Sequence, residues 1–232
     1  MMNVLIFGAT GMVGQGVLRE CLLADDVARV VTIGRRATGV HDRKLHEIVQ
    51  SDLLDYRALE AELRDIDACF FCLGTSSVGQ AEADYARVTF DITLAAARAL
   101  VRANPRATFV YVSGAGADST GGGSTMWARV RGRTENALLA TPFASVAIFR
   151  PAVIQPLHGA RSKTPLYRLF YVAFAPVFPI LKLLAPRLVS STGSIGKAML
   201  EIARHGSPKP ILETADINEV ASGVTKAGMR AA

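Results

Sequence analysis

The apolar run Val4-Leu5-Ile6-Phe7 ends at Gly8, and Gly11 and Gly14 follow at intervals of three residues. A run that is apolar at every position suits a strand covered on both faces, as in a parallel sheet. The pattern G-x-x-G-x-x-G then falls between this strand and a helical pattern, the setting in which such a triplet carries meaning. Glycine lets the turn close and lets backbone approach a ligand. The helix that follows presents unpaired N–H groups and the positive end of its dipole. A pyrophosphate satisfies both. Gly8, Ala9, Thr10, Gly11, Met12, Val13 and Gly14 are therefore expected to cradle a dinucleotide.

The rest of the chain repeats this alternation. Apolar runs at Arg29–Ile33, His46–Val49, Asp67–Leu73, Thr108–Ser113 and Ser145–Phe149 read as strands. Helical spacing at Gly14–Ala24, Tyr56–Arg64, Asp84–Ala103 and Trp127–Ala140 lies between them. Alternation of this kind predicts an α/β fold: a Rossmann-type, doubly wound parallel sheet with helices on both faces. Right-handed crossovers make 3-2-1-4-5-6 the expected strand order. One domain over 1–232 is expected, with 156–206 as a small, mostly helical lid or interface segment. Within it, Ser190–His205 reads as a helix capped by Thr192 or Ser194. Pro210–Glu213 reads as a short final strand.

The end of the second strand, Gly34-Arg35-Arg36, bears on the choice of dinucleotide. A carboxylate there would bond the ribose hydroxyls of NAD, whereas arginines accommodate a 2′-phosphate. Arg35 and Arg36 thus predict NADP(H). Asp52 and Leu53 follow the third strand, where ligands sit in parallel sheets. The Asp52 carboxylate is placed to accept from an adenine amine, or else to cap the next helix. Leu73, Gly74 and Thr75 end the fourth strand with small residues over which a cofactor passes.

The chain has 26 Lys and Arg against 20 Asp and Glu, a formal net charge of +6. The excess lies in residues 127–210, which hold 12 basic residues and only Glu135 and Glu201 as acids. Cofactor phosphates, an acidic substrate or an anionic membrane surface would each answer it. No recognition helix or aromatic-basic platform supports nucleic acid. Cys69 and Cys72 lie three apart in a strand, on opposite faces, so with Cys21 they form no redox pair or disulfide framework. With no apolar leader ahead of the first strand, a reducing cytoplasm is expected. The four histidines have no ligand-like spacing, and no metal is expected.

Leu166–Leu184 is almost wholly apolar but holds Arg168, Lys182, Pro176 and Pro179. Two short helices broken at the prolines fit it better than a membrane span. Such a segment suits a pocket wall for an apolar substrate, the interface of a homodimer, or peripheral membrane contact through 166–189.

These motifs, together with Val110-Tyr111-Val112-Ser113 and Arg150-Pro151, resemble the atypical branch of the short-chain dehydrogenase/reductase superfamily. The closest resemblance is to bacterial NAD(P)-binding proteins of the Tat-interacting-protein-like and epimerase-like group. The resemblance implies NADP(H) bound with help from Ser113, Arg131 and Pro151, and an oxidoreductase acting on an apolar carbonyl or alcohol. It also implies a catalytic Ser, a Tyr, and a Lys four residues after the Tyr. Ser113 matches the first. Trp127 stands at the Tyr position and Arg131 at the Lys position, a register supported by Gly132 and Glu135. An indole N–H donates but does not titrate usefully, so Trp127 does not replace a phenol as general acid. Arg131 retains the ability to hold ribose hydroxyls or a phosphate. Tyr111, Tyr167, Tyr171 and His158 are the other titratable groups considered, each accounted for first by packing or solvent exposure. The sequence therefore leaves open an oxidoreductase and an NADP(H)-binding regulatory protein with little or no catalysis.

Overall fold

The computed structural model describes residues 1–160, 185 and 187–223. Nine strands are found among them: β1 Met2–Phe7, β2 Val27–Gly34, β3 Leu45–Val49, β4 Ala68–Phe71, β5 Thr108–Val112, β6 Ser145–Arg150, β7 Val153–Gln155, β8 Val189–Ser191 and β9 Ile211–Glu213. Seven of them form one sheet in the order β3-β2-β1-β4-β5-β6-β9. Every pairing in it is parallel. The predicted doubly wound order is thus present, extended by β9 beside β6.

Strand β1 shows why a continuous apolar run was needed. Val4 and Ile6 enter one core cluster, with Val17 and Cys21 of α1 (Met12–Leu23). Leu5 and Phe7 enter the other, with Phe71, Phe109 and Tyr111. Successive side chains leave a strand on opposite faces, so a two-sided core demands apolar residues throughout. Cys69 and Cys72 obey the same rule and face different clusters. Burial pushes the thiols of Cys21 and Cys69 well above their ordinary range.

The second face is covered by α2 (Glu60–Arg64), α4 (Ile92–Ala103) and α5 (Met126–Leu139). The helix expected over Asp84–Ala103 is interrupted. It comprises α3 (Glu82–Ala86), a π-turn over Arg87–Asp91, and α4. A π-turn leaves a carbonyl without its usual amide partner. The Thr89 carbonyl instead accepts from Thr93 Oγ1 at 2.7 Å and from Thr134 Oγ1 of α5 at 3.5 Å.

The C-terminal part departs from expectation in detail. β7 and β8 pair in parallel as a separate small sheet, so Ser190 opens no helix. The helix α6 (Thr192–His205) is capped by Ser191, whose side chain accepts from the Ser194 amide, and not by Thr192 or Ser194. Strands of three residues are too short to carry an alternation signal. A final helix, α7 (Thr214–Ala221), follows β9. The expectations for 166–184, including Tyr167 and Tyr171, fall outside the described residues. Among the described residues no helix is long and apolar enough to cross a membrane.

Candidate cofactor and catalytic site

The strand order reverses between β1 and β4, and a crevice opens at the carboxyl ends of strands at such a point. Gly8 occupies it with φ +76°, and a Cβ there would lie 2.6 Å from the Leu73 amide nitrogen. A Cβ on Gly14 would lie 2.1 Å from the Gly8 carbonyl oxygen. The Gly11 amide donates to that same oxygen at 2.8 Å. The Gln15 amide is bonded to Gly11, so the amides of Met12, Val13 and Gly14 precede the first turn's acceptors and remain for an anion. Backbone this close to its neighbours leaves space for a ligand and not for side chains.

Beside the turn is a cavity of about 330 Å³, lined by Gly8, Ala9 and Thr10, by the β2 end from Thr32 to Arg36, and by Thr38 and Leu73. Arg35 and Arg36 are exposed and meet no carboxylate within 4.0 Å among the described residues. The nearby acid Glu47 is occupied, accepting from the Thr38 amide at 2.6 Å.

Other residues expected at the cofactor also make bonds within the protein. Asp52 is exposed and accepts from the Leu54 amide at 2.9 Å, so it neither caps a helix nor lines the cavity. Leu53 is buried in the core, and its carbonyl accepts from Tyr56 Oη at 2.7 Å. The Asp-Leu pair thus also braces the turn after β3. Thr75 Oγ1 accepts from Gln80 Nε2 at 3.1 Å. Pro151 is buried, and its carbonyl accepts from the Ala115 amide at 3.1 Å, tying the end of β6 to the turn after β5. Gly74 remains exposed at the end of β4.

A second constellation lies where β5 and β6 end against α5. Gly132 of α5 packs so close to the 118–119 backbone that a Cβ would lie 1.7 Å from the Asp118 carbonyl oxygen. Trp127 and Arg131, one turn apart, then face the strand ends. Trp127 is half-buried, with its ring edge 3.5 Å from where a Gly116 Cβ would be. Ser113 is only 5% exposed, and its hydroxyl donates to the fully buried carboxylate of Glu135. The hydroxyl expected to orient a substrate oxygen is thus hydrogen-bonded to a carboxylate in this structure. Glu135 also accepts from Arg150, whose Nε lies 3.1 Å and 3.2 Å from its two oxygens. Arg150 reaches Ser119 Oγ at 2.6 Å as well. The bond to Glu135 holds the Arg150 guanidinium above its ordinary pKa.

Arg131 donates through Nε to Tyr85 Oη at 3.0 Å and through Nη1 to the Val112 carbonyl at 3.3 Å. Burial opposes its charge, but the phenols of Tyr111 and Tyr85, with the Glu135 carboxylate, outweigh that and raise its pKa. Tyr111 packs against Phe71 in the core, where burial pushes its phenol up to about 12. Tyr85, Glu135's grip on Ser113 and the role of Arg150 had no signal in spacing, since their partners lie 46, 22 and 15 residues away.

The signature of the NAD dependent epimerase/dehydratase family matches residues 4–126. The chain belongs to that family. It is 29% identical over 155 residues to protein FMP52-1, mitochondrial, of Scheffersomyces stipitis, covering 66% of this chain and 67% of that one. It is 31% identical over 161 residues to protein fmp52, mitochondrial, of Emericella nidulans, with 66% and 67% covered. Protein HTATIP2 of Rattus norvegicus matches at 28% over 155 residues, with 66% and 62% covered. The Bordetella bronchiseptica enzyme WbmF, solved in complex with NAD+, superposes with a TM-score of 0.67 at 17% identity, over 97% of this chain and 78% of that one. A short-chain dehydrogenase/reductase family oxidoreductase from Burkholderia thailandensis gives 0.63 at 17% identity, over 100% and 98%. This family member thus has the Rossmann-type fold shared with the short-chain dehydrogenase/reductase structures. The expected cytoplasmic setting is overturned by the FMP52 relatives, which are named as mitochondrial.

Proposed function

We propose that this chain binds NADP(H) and transfers hydride between it and a carbonyl or alcohol carbon. The observation that carries the cofactor choice is the cavity wall, where Arg35 and Arg36 stand unpaired beside Gly8–Thr10 with no free acid at the β2 end. A 2′-phosphate accepts from two guanidinium groups and is repelled by none. The Gly8–Gly14 turn would hold the pyrophosphate, and the amides of Met12, Val13 and Gly14 would donate to it. Bound there, the nicotinamide ring would supply or accept the hydride. Gly74 leaves the crossing over β4 clear for it. Trp127 walls the crevice and moves no proton.

The expected result is tighter binding of NADPH than of NADH in a fluorescence titration, with Arg35→Ala and Arg36→Ala together erasing the difference. Equal affinities in the unaltered chain would sink the NADP(H) assignment.

Binding without turnover is favoured by a specific observation: Ser113 is spent on Glu135, and Trp127 replaces the phenol. General acid–base catalysis contributes about 10²–10⁴-fold, so a chain without it is slow or silent. NADPH consumption across a panel of aldehydes, ketones and oxo acids separates the two readings. Turnover that survives Ser113→Ala removes that hydroxyl from the mechanism, and no turnover with any carbonyl leaves the binding role.

A further inference from the structure

Arg131 and Arg133 stand apart from the ion-paired cations of the second half of the chain, Arg133 lying over the Phe90 ring. Arg129, Arg150, Arg204 and Lys209 each meet a carboxylate within 4.0 Å. Arg131 meets none among the described residues, although it is half-buried. Its two hydrogen bonds go to neutral oxygens, the Tyr85 phenol and the Val112 carbonyl. The nearest acid in its helix, Glu135, is consumed by Arg150 and Ser113. Its surroundings favour the charged form, so the guanidinium stays a cation that an anion can join by charge-assisted hydrogen bonds.

The geometry also fixes which edge is offered. Tyr85 takes Nε and Val112 takes one Nη1 hydrogen, which leaves Nη2 and the outer side of Nη1 as a two-pronged edge. Nη2 lies 3.8 Å from where a Gly74 Cβ would be, so the edge faces the strand end that has no side chain. Ligands of parallel sheets sit at that end. The π-turn contributes by tying Thr89 to Thr134 of α5, which holds Tyr85 against Arg131. A lysine in this place would offer a single point charge, whereas a guanidinium edge matches both oxygens of an oxyanion.

We infer that the Nη edge of Arg131, aimed by Tyr85, seats an oxyanion of the substrate, so the molecule acted on is an acid and not the apolar compound first expected. The term substrate rests on the hydride-transfer reading; the oxyanion seat does not. Tyr85 is a positioning residue here, acting through Arg131.

The test is calorimetric titration of the full chain, saturated with NADP+, against short 2-oxo acids and their methyl esters. The two have nearly the same shape and differ in charge. Acids are expected to bind about tenfold or more tightly than esters, as a charge-assisted bond requires. Arg131→Gln is expected to abolish the preference and Arg131→Lys to retain part of it. Tyr85→Phe keeps the ring and removes the acceptor for Nε, and is expected to reduce the preference without lowering the melting temperature appreciably. Equal affinity for acid and ester, or binding of neither, overturns the seat. So does an Arg131→Lys or Arg131→Gln chain whose NADP+ affinity falls as far as its acid affinity, since Arg131 would then grip the cofactor. Acids that bind with the stated preference and are never turned over remove the hydride-transfer reading and leave the seat standing.

Discussion

Glu135 is fully buried and holds Ser113 and Arg150 at once, so one carboxylate ties β5, α5 and β6 together. Removing one member of a buried ion pair leaves the other charge unsatisfied, at a cost of about 3–5 kcal/mol. Glu135→Ala is therefore expected to lower the urea midpoint by that equivalent. Glu135→Leu with Arg150→Met is expected to recover most of the loss, because no orphaned charge remains. A single substitution costing less than about 1 kcal/mol would contradict the role assigned to the pair. At this scale the sequence was legible only where function follows spacing. Trp127 and Arg131 were placed by the family resemblance through their distance beyond Ser113, four residues apart on one helix face. Tyr85 was not, because its contact with Arg131 spans 46 residues and exists only once α3 packs on α5.

The element that carries most is the turn from β1 into α1. Its glycines are required by contact and not by flexibility alone, as the 2.1 Å approach to Gly8 at Gly14 demonstrates. Gly14→Ala is expected to push α1 off the turn and weaken NADPH binding by more than about tenfold, or about 1.4 kcal/mol. Fluorescence titration of NADPH measures it, and unchanged affinity would show that the turn does not hold the pyrophosphate. This element was readable because strand, turn and helix are contiguous in the chain. The interruption of the 82–103 helix was not readable. A π-turn shifts the helical period by a single residue, and Thr134 from α5 supplies a compensating bond that no local pattern announces.

Across the whole molecule, the C-terminal helices complete the core of the N-terminal half. Ile195, Met199 and Ile202 of α6 and Ile217 of α7 share a cluster with Val4, Val17 and Leu18. The α1–α6 contact is tight: a Cβ on Gly16 would lie 2.5 Å from Thr192 Cβ and 2.7 Å from the Thr192 carbonyl oxygen. Gly16→Val is expected to separate these helices and cost about 1–3 kcal/mol by overpacking, read as a lower melting temperature. The same interface is clamped by Arg204, which donates to Asp26 at 2.6 Å and 2.8 Å. That bond holds the Asp26 carboxyl below its ordinary pKa. Its contribution is therefore present above the unfolded value of about 3.9 and is lost as pH falls through the lower folded value. Melting temperatures taken from about pH 6 to about pH 3 should fall less steeply in Asp26→Asn than in the unaltered chain. Equal slopes would remove the clamp from the acid response. The side chain is 48% exposed, so the difference is expected to be small. The sequence by itself determined the doubly wound sheet, the glycine turn and the arginines at the end of β2. Each of these rests on period, composition or spacing within a short span of chain. Only the tertiary structure decided that Ser113 is bound by Glu135, that Asp52 and Leu53 bond within their own turn, and that Arg131 meets Tyr85. Those outcomes depend on side chains meeting across α3, α5, β5 and β6, and such meetings are set by packing between elements that no local pattern encodes.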